Sequence, residues 1–188
     1  MSIDVESLLS KRTIIYGEAG TGKTRLLATL LNNLSKHLNP AEITVIDLAP
    51  QKLGDIGGYI TQYIDVGVFR YCRPSKVYAP RLMACNADDV LRYVSHNVAE
   101  ARKCFKTYAA NPTRLLAVND LTIFLHGAEV EELIEYVGKS ETFVATAYYG
   151  RRLAEDYGTG LSSKEKERVE RLLTLMDIKV RLNSKPLF

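Results

Sequence analysis

Eight consecutive residues, Gly17-Glu18-Ala19-Gly20-Thr21-Gly22-Lys23-Thr24, constrain the fold of this chain more than any other stretch. They fit G-x-x-x-x-G-K-[ST] at every fixed position, which a random chain of this length would do on the order of one time in a hundred at ordinary residue frequencies. The flanks fit as well. Lys11 to Gly17 reads KRTIIYG, a β-branched and aromatic run ended by glycine, as expected of a buried strand entering a tight turn. From Lys23 to His37, Leu26, Leu27, Leu30, Leu31 and Leu34 recur at helical spacing until Asn39-Pro40 stops the pattern. Strand, glycine-rich turn and helix in direct succession present consecutive N–H groups at a helix N-terminus, a cradle for the oxygens of a phosphate chain.

The residue types say what such a cradle would hold. Glu18, Ala19, Gly20, Thr21, Gly22, Lys23, Thr24 and Arg25 are the expected nucleotide-binding residues, with the Lys23 ammonium reaching the β and γ phosphates. The Thr24 hydroxyl is suited to Mg²⁺, and a carboxylate at the end of a neighbouring strand holds such an ion through water. Asp120, carried by the apolar run Leu115 to Val118, is the first candidate; its ordinary alternative is a turn or capping aspartate. Asp47, which ends the apolar run Ile43 to Leu48, competes for the metal, or serves as a partner of the metal's ligands or as a turn former. ATP with Mg²⁺ is the expected ligand. A GTPase would need an N-K-x-D element, which is missing, and the D-x-x-G match at Asp55 to Gly58 follows no apolar strand.

Beyond the first helix, strands and helices alternate. Ile43 to Leu48 is a second strand, followed by a loop holding Gly54, Gly57 and Gly58. Val66 to Tyr71 and Lys76 to Leu82 look extended, although Pro74 and Pro80 make one of them an edge strand and the other a connection. Asn86 to Tyr108 reads as a long helix with Asn86 or Asp88 as cap. Strand Leu115 to Asp120, helix Glu129 to Val137 and strand Thr142 to Ala147 follow. Ser162 and Glu165 have the spacing of a capping box before a last helix, and Ile178 to Leu182 supplies a last strand. This alternation predicts an α/β three-layer sandwich around a mainly parallel central sheet.

At 188 residues, the chain is read as one domain, 1–188. With 46% hydrophobic and 25% charged residues it resembles ordinary globular proteins. No apolar run approaches the ~20 residues of a membrane span, and Met1-Ser2-Ile3-Asp4 does not start a signal peptide, so a cytoplasmic protein with no membrane partner is expected. Cys72, Cys85 and Cys104 show no metal-ligand spacing and are expected as free thiols. A net charge of +3 is too small to argue for nucleic acid. The stretch Phe69 to Lys76 is either an ordinary surface loop or a patch for nucleic acid or a protein partner.

GEAGTGKT, VIDLAP and LLAVND together resemble the P-loop NTPases, and their spacing is most similar to the RecA/KaiC-like, additional-strand branch. The resemblance implies a P-loop NTPase fold in which Thr142 to Ala147 lies between the phosphate-loop strand and the Leu115 to Asp120 strand, with Thr146 facing the γ phosphate. It also exposes a departure. Relatives place a catalytic glutamate after the second strand or after the metal-binding aspartate, whereas this chain has Ala49-Pro50-Gln51 and Leu121 there. Gln51 remains to orient a water, and slow turnover is the expectation. Arg151 and Arg152 would supply charge to the γ phosphate, in cis or across a subunit boundary, or lie on a solvated face. Three functions stay open: a slow RecA-like ATPase with DNA as one partner, a small-molecule or nucleoside kinase using a carboxylate such as Asp47, and a regulatory module that binds a protein partner or a second copy of itself. The deviant Walker ATPases are set aside, since Glu18 and Ala19 stand where their signature lysine belongs.

Overall fold

The computed structural model describes residues 4–54, 56–153 and 155–183. Asp55, which opens the D-x-x-G match, lies outside the described residues. The chain begins with strand β1, Arg12–Gly17, and turns directly into helix α1, Lys23–Leu34. Strand β2 (Ile43–Asp47) leads through a long loop to β3 (Arg70–Cys72) and the single-turn helix α2 (Pro80–Met83). Helix α3 (Ala87–Ala110), β4 (Leu115–Asn119), the short α4 (Thr122–Leu125) and α5 (Val130–Val137) come next. β5 (Thr142–Tyr148), α6 (Leu161–Thr174) and β6 (Ile178–Leu182) complete the fold.

The six strands form one sheet in the order β3-β2-β4-β5-β1-β6, and every pairing is parallel. Adjacent residues of the strands feed opposite cores, as the two-residue pleat requires. Ile14, Ile46, Leu116, Val118, Phe143 and Ala145 pack with α3 to α6 on one face. Ile15, Val45, Leu115, Ala117 and Val144 pack with α1 on the other. The three-layer α/β architecture expected from the alternation is therefore present, with β5 between β1 and β4. β2, β4 and β5 are buried at every residue, which explains why they read as unbroken apolar runs.

Several expectations need correction. Of the first doubtful stretch, Val66 to Tyr71, only Arg70 and Tyr71 are strand, at the sheet edge, while Pro80 opens a helical turn, a position where its missing N–H costs nothing. Asn86 does cap α3, its side-chain oxygen accepting from Asp89 N–H at 2.9 Å. Ser162 does not cap α6: Gly160, in the left-handed conformation, occupies that position. Glu165 is turned into the interior instead. Two of the three cysteines are not free, because β3 lies close to α3 and brings the Cα atoms of Cys72 and Cys104 to 5.7 Å, where they form a disulfide. Cys85 is free and exposed. The stretch Phe69 to Lys76 is largely structural: it carries β3 and that disulfide, and the Arg73 guanidinium lies 3.5 Å from the centre of the Tyr59 ring.

Candidate functional site

The phosphate loop begins where β1 ends, at the C-terminal edge of the sheet. Gly17 has φ +147°, and a Cβ there would lie 2.1 Å from the carbonyl oxygen of Leu182 in β6. Only glycine permits that approach, which is the backbone reason for the motif's first fixed position. Gly20 and Gly22 also have positive φ, and Gly22 precedes α1 with no side chain capping the helix. The first-turn N–H groups of α1 are thus left to an anion. The loop is braced from within: Thr21 donates its hydroxyl to the Glu18 carbonyl at 2.8 Å, and Lys23 Nζ donates to the carbonyls of Gly17 and Glu18 at 3.0 and 2.6 Å. Burial lowers the pKa of the Lys23 ammonium, against the opposing charges of Asp120, Glu18 and Glu165.

Ala19 to Arg25 line a cleft of about 350 Å³. Glu18 does not. Its carboxylate accepts the backbone N–H groups of Ala19, Arg151 and Arg152, tying the loop after β5 to the phosphate loop. Burial opposes, but these N–H groups prevail and hold the carboxyl below its usual range. Both arginines are exposed, but Arg152 also reaches the loop with its guanidinium, donating to the Ala19 carbonyl at 3.3 Å.

The acids at the strand ends are arranged differently from the expectation. Thr24 donates its hydroxyl to Asn119 Oδ1 at 3.1 Å, not to Asp120. Thr146 donates to the same oxygen at 3.0 Å, and Asn119 Nδ2 donates to Asp47 Oδ1 at 2.8 Å. A neutral amide therefore occupies the place beside Thr24. Asp120 lies one residue past β4 with φ +55°, accepts the Thr122 hydroxyl at 2.9 Å, and lines the cleft with Lys23, Thr24 and Thr146. Burial raises its pKa, opposed by the Thr122 hydroxyl and by the charges of Lys23 and His126.

Asp47 is corrected as a metal candidate. It is fully buried, does not line the cleft, and its two oxygens accept from Asn119, Ala49 N–H, Ile60 N–H and the Tyr71 hydroxyl. Its work is to hold Asn119. Gln51 is exposed and does not itself line the cleft, although its neighbours Pro50 and Lys52 do. For Mg²⁺ the fitting donors are the Thr24 hydroxyl and the Asp120 carboxylate, hard oxygens that complement phosphate oxygens. No group of three or more His, Cys, Asp or Glu able to hold a metal exists among the described residues.

The cleft lining also contains residues that the sequence did not single out. Arg81 of α2 donates through both terminal nitrogens to the two oxygens of Glu165 in α6, each at 2.8 Å. His126 Nε2 is 2.6 Å from Glu165 Oε2. Burial pushes the Glu165 carboxyl up, yet the hydrogen bond and charge of His126 and the Arg81 guanidinium outweigh it and hold the carboxyl below its usual range. These three lie far apart in sequence, and the only cue is a histidine ending the apolar run Ile123-Phe124-Leu125.

The parallel sheet with β5 inserted between β1 and β4, and the G-x-x-x-x-G-K-T turn leading into α1, give the chain the fold class of the P-loop NTPases. Within that class, residues 1–49 match the family model described as the central domain of helicase HerA, 49 of the 188 residues. Among solved structures the chain is similar to the Pif1 helicase from Candida albicans, at 14% identity and TM-score 0.41, over 99% of this chain and 40% of that one. It is also similar to the flagellar accessory protein FlaH from Methanocaldococcus jannaschii, at 12% identity and TM-score 0.48, over 92% of this chain and 71% of that one. The chain thus spans 40% of the length of the Pif1 helicase. No curated protein matches it. No helix among the described residues is long and apolar enough to cross a membrane.

Proposed function

We propose that this chain binds ATP with Mg²⁺ in the cleft and hydrolyses it slowly, the nucleotide serving regulation or the binding of a partner. The observation that carries this reading is the convergence of Lys23, Thr24, Asp120 and Thr146 on one cleft at the sheet's C-terminal edge. The first-turn N–H groups of α1 and the Lys23 ammonium take the phosphate oxygens. Thr24 and Asp120 are the groups that would hold the cation, which neutralises phosphate charge when bound. Asn119 fixes the Thr24 hydroxyl. A neutral amide in that place and the missing glutamate favour slow turnover over a fast motor.

Calorimetry with Mg-ATP on the natural chain and on Lys23→Ala tests the site. Binding to the first and a loss of about 100-fold or more in the second is expected, of the order of a charge-assisted contact or two. Equal affinity would overturn the reading. Phosphate release with and without DNA then tests the partner that the helicase description of the matching family model suggests; a second copy of the chain or another protein is the alternative partner. A small-molecule kinase remains a second reading, favoured by the extension of the cleft past the phosphate loop to Arg81, His126 and Glu165.

A further inference from the structure

We propose that His126 is the general base of this site, and that the half of the cleft beyond the phosphate loop receives the O–H group it deprotonates. This deepens the nucleotide-binding reading and rests on it. Arg81, Glu165 and His126 come from three separate elements, and their side chains are 5%, 4% and 3% exposed. All three line the cleft that Lys23 and Thr24 line. Buried ionisable groups gathered at a ligand cleft mark function more often than chance.

The hydrogen bonds fix the histidine's chemistry. The Glu165 carboxylate, with Arg81 on both oxygens, can only accept, so the proton between it and His126 belongs to Nε2. In the neutral imidazole, Nδ1 then carries a bare lone pair. It is buried and has no hydrogen-bond partner among the described residues. Buried polar atoms are nearly always paired, and an exception asks for an explanation. A carboxylate behind a histidine, with the far nitrogen buried and unpaired, is the arrangement that orients a general base and stabilises the imidazolium it becomes. The other candidates are placed elsewhere: Asp47 is saturated, Gln51 does not itself line the cleft, and Asp120 belongs with Thr24 on the cation side.

The step balances as follows. Nδ1 takes the proton of the O–H group, whose oxygen forms a bond to the γ-phosphorus of the triphosphate. The bond from that phosphorus to the β–γ bridging oxygen breaks, and its electron pair leaves with the nucleoside diphosphate. The proton passes from the imidazolium to solvent. Water as acceptor gives inorganic phosphate; a small alcohol gives a phosphate monoester. The charged groups around His126 are Glu165 and Arg168 from α6, Arg81 from α2, and Asp120 after β4, with Arg168 donating to the His126 carbonyl at 3.0 Å.

The test is turnover of γ-labelled Mg-ATP by the full chain between about pH 5 and 9, the range over which a histidine changes charge. Water alone, added glycerol and added adenosine serve as acceptors, with Mg-ATP affinity measured in parallel. The natural chain should lose kcat on the acid side through one ionisation. His126→Asn should lose about 100-fold or more of kcat together with that acid limb, at unchanged affinity. Glu165→Gln should move the limb to lower pH, because the imidazolium loses its counter-charge. Label appearing in phosphate identifies water, and label in glycerol phosphate or a nucleotide identifies an alcohol. A pH-independent natural enzyme, a His126→Asn chain that keeps kcat or the acid limb, or no turnover to any of the three acceptors with affinity intact would each overturn the assignment. Absence of Mg-ATP affinity in the natural chain would sink the underlying reading instead. The natural chain's pH profile decides even where a variant fails to fold.

Discussion

Asn119 is a neutral amide at which three polar side chains converge, and its two ends are not interchangeable. Its oxygen accepts from Thr24 and Thr146 while its nitrogen donates to Asp47. Asn119→Asp keeps the shape and removes the donor, so two carboxylates meet and one has to keep a proton. At pH 7 the variant should be less stable by about 1–3 kcal/mol. The proton affinity of the new pair is raised by folding, so the deficit shrinks below about pH 4 and grows as pH rises. Denaturant melts across that range measure it, and a deficit independent of pH would contradict the assignment. Glu165 titrates in the opposite sense. Its folded pKa is depressed by His126 and Arg81 against burial, so its contribution is present above the usual carboxylate range and is lost as pH falls through the lower folded value. Glu165→Gln leaves buried Arg81 without its counter-charge, should cost about 3 kcal/mol at pH 7, and should flatten that acid limb in thermal melts. The fixed positions of the phosphate loop are legible because each has its own backbone or charge requirement. The choice between Asn119 and Asp120 is not, since an apolar run ending in Asn-Asp does not say which residue the turn leaves beside Thr24; the left-handed φ of Asp120 decides it.

Gly17 shows how one element shapes another. β6 pairs with β1 up to Leu182, and the Leu182 carbonyl occupies the space a side chain at Gly17 would need. Gly17→Ala should therefore cost about 3 kcal/mol or more and weaken nucleotide binding, because either β6 or the start of the loop has to move. A melt of that variant matching the parent would place β6 elsewhere. The disulfide gives the edge strand a second tie. Cys72 and Cys104 are 32 residues apart, and closing a loop of that size stabilises by about 3–4 kcal/mol in the chain-entropy account. Denaturant midpoints with and without reductant should differ accordingly. Most elements were legible in the sequence, since the strands are β-branched runs between glycines and the helices carry one apolar side. Those that were not depend on distant partners: Glu165 looks like half of a capping box but is taken by Arg81 and His126, and β3 is a strand of three residues secured through α3.

A ligand that binds only the folded chain stabilises the whole molecule by mass action. Mg-ATP at about 100 times its dissociation constant should add about 2.7 kcal/mol, a rise of roughly 5–10 °C in the midpoint for a chain of this size. Lys23→Ala should abolish the shift; because the ammonium also neighbours the buried Asp120 carboxyl, the shift is read against the variant's own nucleotide-free midpoint. A shift that survives the substitution would locate the nucleotide elsewhere. The sheet order has one more consequence. β1 is sandwiched between β5 and β6, which follow it in the chain by more than a hundred residues. At roughly 5–20 residues per second, on the order of ten to thirty seconds separate the synthesis of Gly17 from that of Leu182. Until β5 is made the nascent motif has no neighbouring strand against which to take shape, so the phosphate loop gains its full support only late in the translation of these elements.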